Sequence, residues 1–219
     1  MLSLLCVLSA LTATGHALTC KVCMVSYSTY CNGDTSMVCP KGQVCVSAYT
    51  LTTMGHSKVS EEFSRGCAPK DQCNTPGSIS IPGGKIKRNT SCCFTDNCYP
   101  PTPTLPEDNF EPNGVTCATC ASSYSDWCYN DKTMRCTGDE NMCILESSHQ
   151  YEPIDQMLAL RGCATRSICD IGTQEISYGH INMTMKIKCS SASSPLYSHL
   201  VLSFTFTVAG ILAVLSSWG

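Results

Sequence analysis

The feature that most constrains this chain is a register of cysteines. Cys20, Cys23, Cys31, Cys39, Cys45, Cys67, Cys73 and Cys92 recur as Cys117, Cys120, Cys128, Cys136, Cys143, Cys163, Cys169 and Cys189, at an offset that stays between 96 and 98 residues. Other residues keep the same register. Thr19-Cys20-x-x-Cys23 returns as Thr116-Cys117-x-x-Cys120, Ser26-Tyr27-Ser28-x-Tyr30-Cys31 as Ser123-Tyr124-Ser125-x-Trp127-Cys128, and Arg65-Gly66-Cys67 as Arg161-Gly162-Cys163. The chain is a tandem duplication of one module. Modules this small bury too little apolar surface to stand on a core alone and rely on cross-links, each worth about 2 to 4 kcal/mol. Cross-links of that kind require an oxidising compartment.

Both ends of the chain speak to that compartment. Met1 to Leu11 is apolar and nearly uncharged and is followed by Gly15-His16-Ala17, the small residues a signal peptidase reads, so residues 1–17 are expected to be a signal peptide cleaved after Ala17. Its removal takes Cys6 away and leaves eighteen of the nineteen cysteines, an even number that suits nine bridges. At the far end Leu200 to Leu215 is apolar and no Lys or Arg follows it. Upstream lie the small residues Ser190 to Ser194 and a short spacer, Pro195 to His199. These are the parts of a glycosylphosphatidylinositol signal, which places lipid attachment at Ser190 or Ser191 and makes residues 190–219 a segment that is mostly removed. A transmembrane helix is the alternative, since an apolar stretch near 20 residues can span a bilayer.

Between the modules, Tyr99 to Gly114 reads YPPTPTLPEDNFEPNG, a composition that favours extended backbone and a semi-rigid spacer. The expected organisation is a first domain at 18–98, a Pro-rich linker at 99–114 and a second domain at 115–189. Val44 to Leu51 and Ile181 to Ile187 alternate partly, as strands do, and Pro82-Gly83-Gly84 marks a hairpin turn inside Ile79 to Ile86. Apart from the two ends, no stretch of 12 or more residues shows a helical apolar period. The fold class expected is all-β, built of small sheets.

The opening Leu18-Thr19-Cys20-x-x-Cys23, the closing Cys92-Cys93-x-x-x-x-Cys98 and the ten cysteines between Leu18 and Cys98 resemble the lymphocyte-antigen-six/urokinase-receptor superfamily of three-finger, or LU, modules. The resemblance implies two tandem disulfide-rich three-finger domains. It also implies a pairing that spacing alone leaves open: Cys20 with Cys45, Cys23 with Cys31, Cys39 with Cys67, Cys73 with Cys92, and Cys93 with Cys98. In the second module it implies Cys117 with Cys143, Cys120 with Cys128, Cys136 with Cys163, and Cys169 with Cys189. That module departs from the full pattern, because Ser190 and Pro195 stand where Cys93 and Cys98 do in the first; the first departs in turn, because Tyr99 replaces the family's usual Asn after its last Cys. The tandem plan is similar to lipid-anchored two-domain surface members and to the gamma-type phospholipase A2 inhibitors. Fold transfers across such a resemblance more safely than function does.

The Cys-x-x-Cys doublets invite a zinc or redox reading, but the first needs four convergent ligands and the second a free thiolate, and every mature Cys here has an implied partner. His56, His149 and His180 are scattered and sit at no ligand spacing. No cofactor or metal is expected. Catalysis finds no motif: G-x-S-x-G, H-E-x-x-H and a phosphate-cradling Gly loop are all missing from the sequence. A formal charge of −3 without a long basic stripe speaks against a nucleic-acid partner. Asn89-Thr90-Ser91 and Asn182-Met183-Thr184 are N-glycosylation sequons, each on the third finger of its module.

Charge separates the modules: residues 18–98 carry eight Lys and Arg against five Asp and Glu, residues 115–189 six against nine. In the first, Lys85, Lys87 and Arg88 follow the Pro82-Gly83-Gly84 turn, and the second finger carries Tyr49, Leu51, Met54, Val59 and Phe63, more apolar residues than a solvated hairpin needs. Tyr49, Met54, Lys85, Lys87 and Arg88 are therefore the expected ligand-binding residues, meeting a partner that is acidic near the contact. The expected function is non-enzymatic recognition on the extracellular face of the plasma membrane, with the lipid in the outer leaflet and the finger loops as the binding surface. The partner would be an extracellular or membrane protein. The alternative is a soluble or shed inhibitor of a secreted phospholipase A2.

Overall fold

A computed structural model describes residues 17–32, 35–55, 57–178 and 181–191; the signal segment, His56, His180 and the C-terminal tail lie outside them. The first repeat contributes β1 (Thr19–Ser26), β2 (Thr35–Val38), β3 (Gln43–Met54), β4 (Ser57–Pro69), β5 (Gly77–Ile81) and β6 (Gly84–Cys93). The second contributes β7 (Pro112–Ala118), β8 (Cys120–Ser122), β9 (Thr133–Thr137), β10 (Met142–Glu152), β11 (Gln156–Ala164), β12 (Gln174–Tyr178) and β13 (Ile181–Ser191). Helix is confined to a 3-10 turn at Lys70–Gln72 and the four residues of α1, Arg166–Cys169, among the described residues. The strands expected around Val44 and Ile181 are the middle of β3 and the start of β13. The turn between β5 and β6 falls at Pro82-Gly83, where Gly83 takes a φ of 71° that a side chain would resist.

Nine disulfides join Cys20–Cys45, Cys23–Cys31, Cys39–Cys67, Cys73–Cys92, Cys93–Cys98, Cys117–Cys143, Cys120–Cys128, Cys136–Cys163 and Cys169–Cys189. With fingers β1–β2, β3–β4 and β5–β6 in the first repeat and the corresponding hairpins in the second, the architecture is that of two tandem three-finger domains.

The chain packs as two compact units that do not coincide with the two repeats. Among the described residues, one holds those up to Thr50 together with Glu61–Thr75 and Asn89–Thr104; the other holds those of Leu51–Ser60 and Pro76–Arg88 and those from Leu105 to Ser191. In the first unit β1 pairs antiparallel with β2, Thr19 opposite Val38, and with β4, Cys23 opposite Arg65. Its core is largely sulfur: Cys20, Cys39 and Cys45 pack with Leu18, Cys67, Cys93 and Cys98, while Phe63, fully buried, sits against Cys23, Cys31 and Val25.

In the second unit the β5–β6 hairpin of the first repeat joins the sheet of the second repeat. β5 pairs with β11, Ser80 opposite Cys163 and Ile79 opposite Ala164, giving the order β12-β13-β10-β11-β5-β6, with β8 also on β11. Because side chains alternate across a strand, Ile144 of β10, Leu160 of β11 and Ile187 of β13 turn to one face. There they pack with Ile79, Ile81 and Ile86 of the hairpin and with Ile168 of α1. Five Ile of an apolar cluster thus come from four strands drawn from both repeats, where a lone hairpin would be marginally stable at best.

The Pro-rich stretch is tied down at both of its ends rather than hanging free. In the first unit the Pro101 carbonyl accepts from the Ser47 and Ser91 hydroxyls, and the Thr104 carbonyl accepts from Asn89 Nδ2. In the second unit Asp108 is ion-paired to Lys87, and Pro112 already pairs with Thr137 in the β7–β9 ribbon.

Candidate binding surface

The residues singled out from the sequence divide on inspection. Tyr49 is half-buried on β3, and its hydroxyl donates to Glu61 Oε1 at 2.6 Å. That hydrogen bond, burial and the charge of Glu61 together push its pKa from 10.0 up to about 12. Met54 is exposed, yet its sulfur lies over the backbone of Gly84, where a Cβ would stand 2.4 Å from it.

The basic turn is not open to a partner. Lys85 Nζ lies 3.4 Å from Glu140 Oε1 and 3.7 Å from Asp108 Oδ1, and Lys87 Nζ lies 3.1 Å from Asp108 Oδ2. Both lysine side chains are only 16% exposed. Arg88 is held in a desolvated setting that lowers its pKa, against the opposing charge of Glu146, whose own carboxyl burial pushes up. Glu140 is itself buried and also accepts from the Ser78 hydroxyl at 2.6 Å. Lys85, Lys87 and Arg88, expected from the sequence to meet an acidic partner, have Asp108, Glu140 and Glu146 of the same unit as acidic neighbours. A charge buried without such a partner would be strongly unfavourable, so this pairing is what the packing demands.

Several large side chains reach solvent away from this turn. Tyr124 is 92% exposed, Ile154 67% and Tyr151 50%, all on the second repeat. Tyr124 and Ile154, with Asp155, Gln156 and Met157, line a groove of about 380 Å³. Beside it His149 Nε2 meets Asp155 Oδ1 at 2.6 Å, and its ring lies against Tyr151 at a tilt of 46° with centroids 4.1 Å apart. The first repeat exposes the register-equivalent Tyr27 and Tyr30. Sequence reasoning used these aromatics only to align the repeats; their recurrence beside a cysteine, in a segment with no strand pattern, was the available signal.

Asn89 is half-buried with its amide nitrogen on the Thr104 carbonyl and its amide oxygen accepting from Thr90 N, while Asn182 Nδ2 reaches Glu152 Oε2 at 2.9 Å. Ser190 and Ser191 are exposed at the end of β13. Sulfurs of Cys20, Cys39 and Cys67 cluster, as do those of Cys45, Cys93 and Cys98 and of Cys117, Cys136 and Cys163. All are oxidised in disulfides and carry no thiolate to offer a metal.

A family model of the u-PAR/Ly-6 domain matches residues 16–101 and again residues 113–196. The chain is 26% identical over 190 residues to the phospholipase A2 inhibitor NAI of Notechis ater, covering 85% of this chain and 94% of that protein. It is 26% identical over 187 residues to the urokinase plasminogen activator surface receptor of Rattus norvegicus, covering 80% of this chain but 54% of the receptor. Among solved structures, that of mouse TEX101 aligns over 79% of this chain and 99% of its own, at 15% identity and a TM-score of 0.33.

Proposed function

The chain belongs to the u-PAR/Ly-6 domain family, and from that membership we propose that it is a non-catalytic extracellular protein that binds a protein ligand through its finger loops. The observation that carries this reading is the cluster of Tyr124, Tyr151 and Ile154 on the second repeat. Large side chains held in water on a disulfide-fixed scaffold are what an interface uses as anchors. They replace Tyr49, Lys85, Lys87 and Arg88 as the contact we assign. Surface attachment by a glycosylphosphatidylinositol at Ser190 or Ser191 is part of the proposal, supported by their exposure at a strand end and by the small residues, spacer and apolar stretch that follow. N-glycans on Asn89 and Asn182 fit the same route.

Affinity capture with the secreted chain tests the binding reading. Tyr124→Ala with Ile154→Ser should abolish capture of a partner that the parent chain retains, and undiminished capture would move the site elsewhere. On intact cells, a phosphatidylinositol-specific phospholipase C should release the protein; retention with Gly219 still present would establish a transmembrane helix instead.

Inhibition of a secreted phospholipase A2 is a second reading with equal support. The inhibitor of Notechis ater is matched along 94% of its length, as a protein of the same two-domain plan would be. An enzyme assay with added chain decides it: unchanged hydrolysis across a panel of secreted phospholipases would leave the receptor-like reading alone.

A further inference from the structure

The β11–β10–β13 sheet of the second repeat has one apolar face and one that, past Ala159 and Cys163 of β11, which are buried under the disulfides, is open along β13, where Lys186 and Lys188 are exposed. Cross-strand partners share a face, so Arg161, Leu145 and Lys188 form one row and Ala159, Ser147 and Lys186 the next. The opposite face, with Ile144, Leu160 and Ile187, is the one buried against the β5–β6 hairpin. The open face therefore concentrates three cations. Arg161 Cζ lies 4.1 Å from the centroid of Trp127, whose ring is 54% exposed. Trp127, Leu145, Arg161, Lys188 and Ser190 line a groove of about 410 Å³, and Asp126 with Lys186 borders a smaller one of about 130 Å³ beside it. Among the described residues none of the three cations has an ion-pair partner within 4.0 Å, and Arg161 Nε is buried without a hydrogen-bond partner.

Lysines on an unpaired strand edge often serve only to prevent edge-to-edge pairing, and Lys186 and Lys188 do lie past Met185, where β12 stops pairing with β13. Arg161 escapes that explanation, because β11 is flanked by β10, β8 and β5. We propose that this open face is a membrane-contact surface, seating Arg161, Lys186 and Lys188 on the phosphates of phospholipid head groups with Trp127 at the interface. The orientation rests on the surface-anchoring reading: Lys188 precedes the attachment residue Ser190 by two positions, about 7 Å along a strand. Tryptophan beside Lys and Arg is the combination that settles at a membrane–water boundary, the ring among head groups and the cations on phosphate.

Trp127 and Trp218 are the two tryptophans of the chain, so Trp218→Phe makes Trp127 the sole emitter. That chain, as cells shed it or release it on phospholipase C treatment, is mixed with phosphatidylcholine vesicles containing phosphatidylglycerol. The expected result is a blue shift of the emission and salt-sensitive co-sedimentation. Lys186→Ser with Lys188→Ser should weaken vesicle affinity about 30-fold, with an unchanged count of disulfides. Unshifted emission, or equal affinity of the double variant, overturns the proposal. So does a shift caused by heparin and not by vesicles, which would assign the face to a sulfated polysaccharide. Failure of the anchoring reading shows separately, as retention on cells; the detergent-extracted chain, reconstituted into the same vesicles, then gives the same emission test.

Discussion

A Cβ placed on Gly162 would stand 2.0 Å from the carbonyl oxygen of Ser80. This is where the first repeat's third finger enters the second repeat's sheet, and a backbone oxygen cannot yield as a flexible side chain would. The same Arg-Gly-Cys tripeptide occurs in the first repeat, yet a Cβ on Gly66 would meet nothing within 4 Å. Gly162→Ala is expected to destabilise by at least about 3 kcal/mol through overpacking, whereas Gly66→Ala should stay within about 0.5 kcal/mol of the parent. Urea midpoints of the two variants check this, and equal midpoints would refute the β5–β11 pairing.

Glu140 makes the next case. Its carboxylate is buried and holds Ser78 and Lys85. Glu140→Ala strands Lys85 without a close partner apart from Asp108 at 3.7 Å, and a loss of about 3 kcal/mol is expected. Lys85→Met with Glu140→Met should cost less than the sum of the single changes, because an apolar pair leaves no charge behind. The triple change of Lys85, Lys87 and Arg88 to Ser, on this account, lowers the denaturation midpoint rather than slowing association with a ligand. Thermal melts and binding kinetics on the same preparation separate the two outcomes.

These two cases also show where sequence reasoning reaches and stops. The duplication, the strand content and the β5–β6 turn were legible because each leaves a local mark: a cysteine register, partial alternation, a Pro-Gly-Gly. The sign of the charge on Lys85 and Arg88 was legible too, but not their partners, since Asp108, Glu140 and Glu146 are remote in sequence and carry no signal of their pairing. For the same reason two identical tripeptides gave no hint that Gly162 is confined and Gly66 is not. The tip formed by Tyr124 and Ile154 was missed because its two residues are brought together only by the pairing of β8 with β11, Ser122 opposite Ala159.

Tyr49 offers a titration. Its folded pKa of about 12 exceeds the free value of 10.0, so between those values the folded state binds the proton more tightly than the unfolded state does. Stability contributed by this group is therefore complete below about pH 10 and is lost as pH rises through 12. An absorbance titration of the phenolates should show one tyrosine ionising near pH 12 that is missing in Tyr49→Phe. An unchanged curve would show that the Glu61 hydrogen bond does not persist in solution.

The Cys93–Cys98 bridge, which the second repeat lacks, closes a short loop whose residues hold the start of β1. Asp96 Oδ1 accepts from Thr19 N at 2.7 Å, and Asn97 N donates to the Thr19 carbonyl at 2.7 Å. Its sequence separation is 5 residues against 19 for Cys73–Cys92. Loop-closure entropy alone then assigns it about 2 kcal/mol and the larger loop about 3 kcal/mol. Replacing Cys93 and Cys98 by Ser should thus be the milder of the two double changes in overall stability. It should nonetheless act sharply on one place, because the Thr19 amide takes its acceptor from the loop and the loop amide of Asn97 is held to the Thr19 carbonyl. Hydrogen exchange at these two amides is expected to rise well above that in the Cys73→Ser, Cys92→Ser variant, even though the latter melts earlier. If both amides stay protected in the variant without Cys93 and Cys98, the loop holds its shape without the bridge, and the second repeat's lack of one carries no structural penalty.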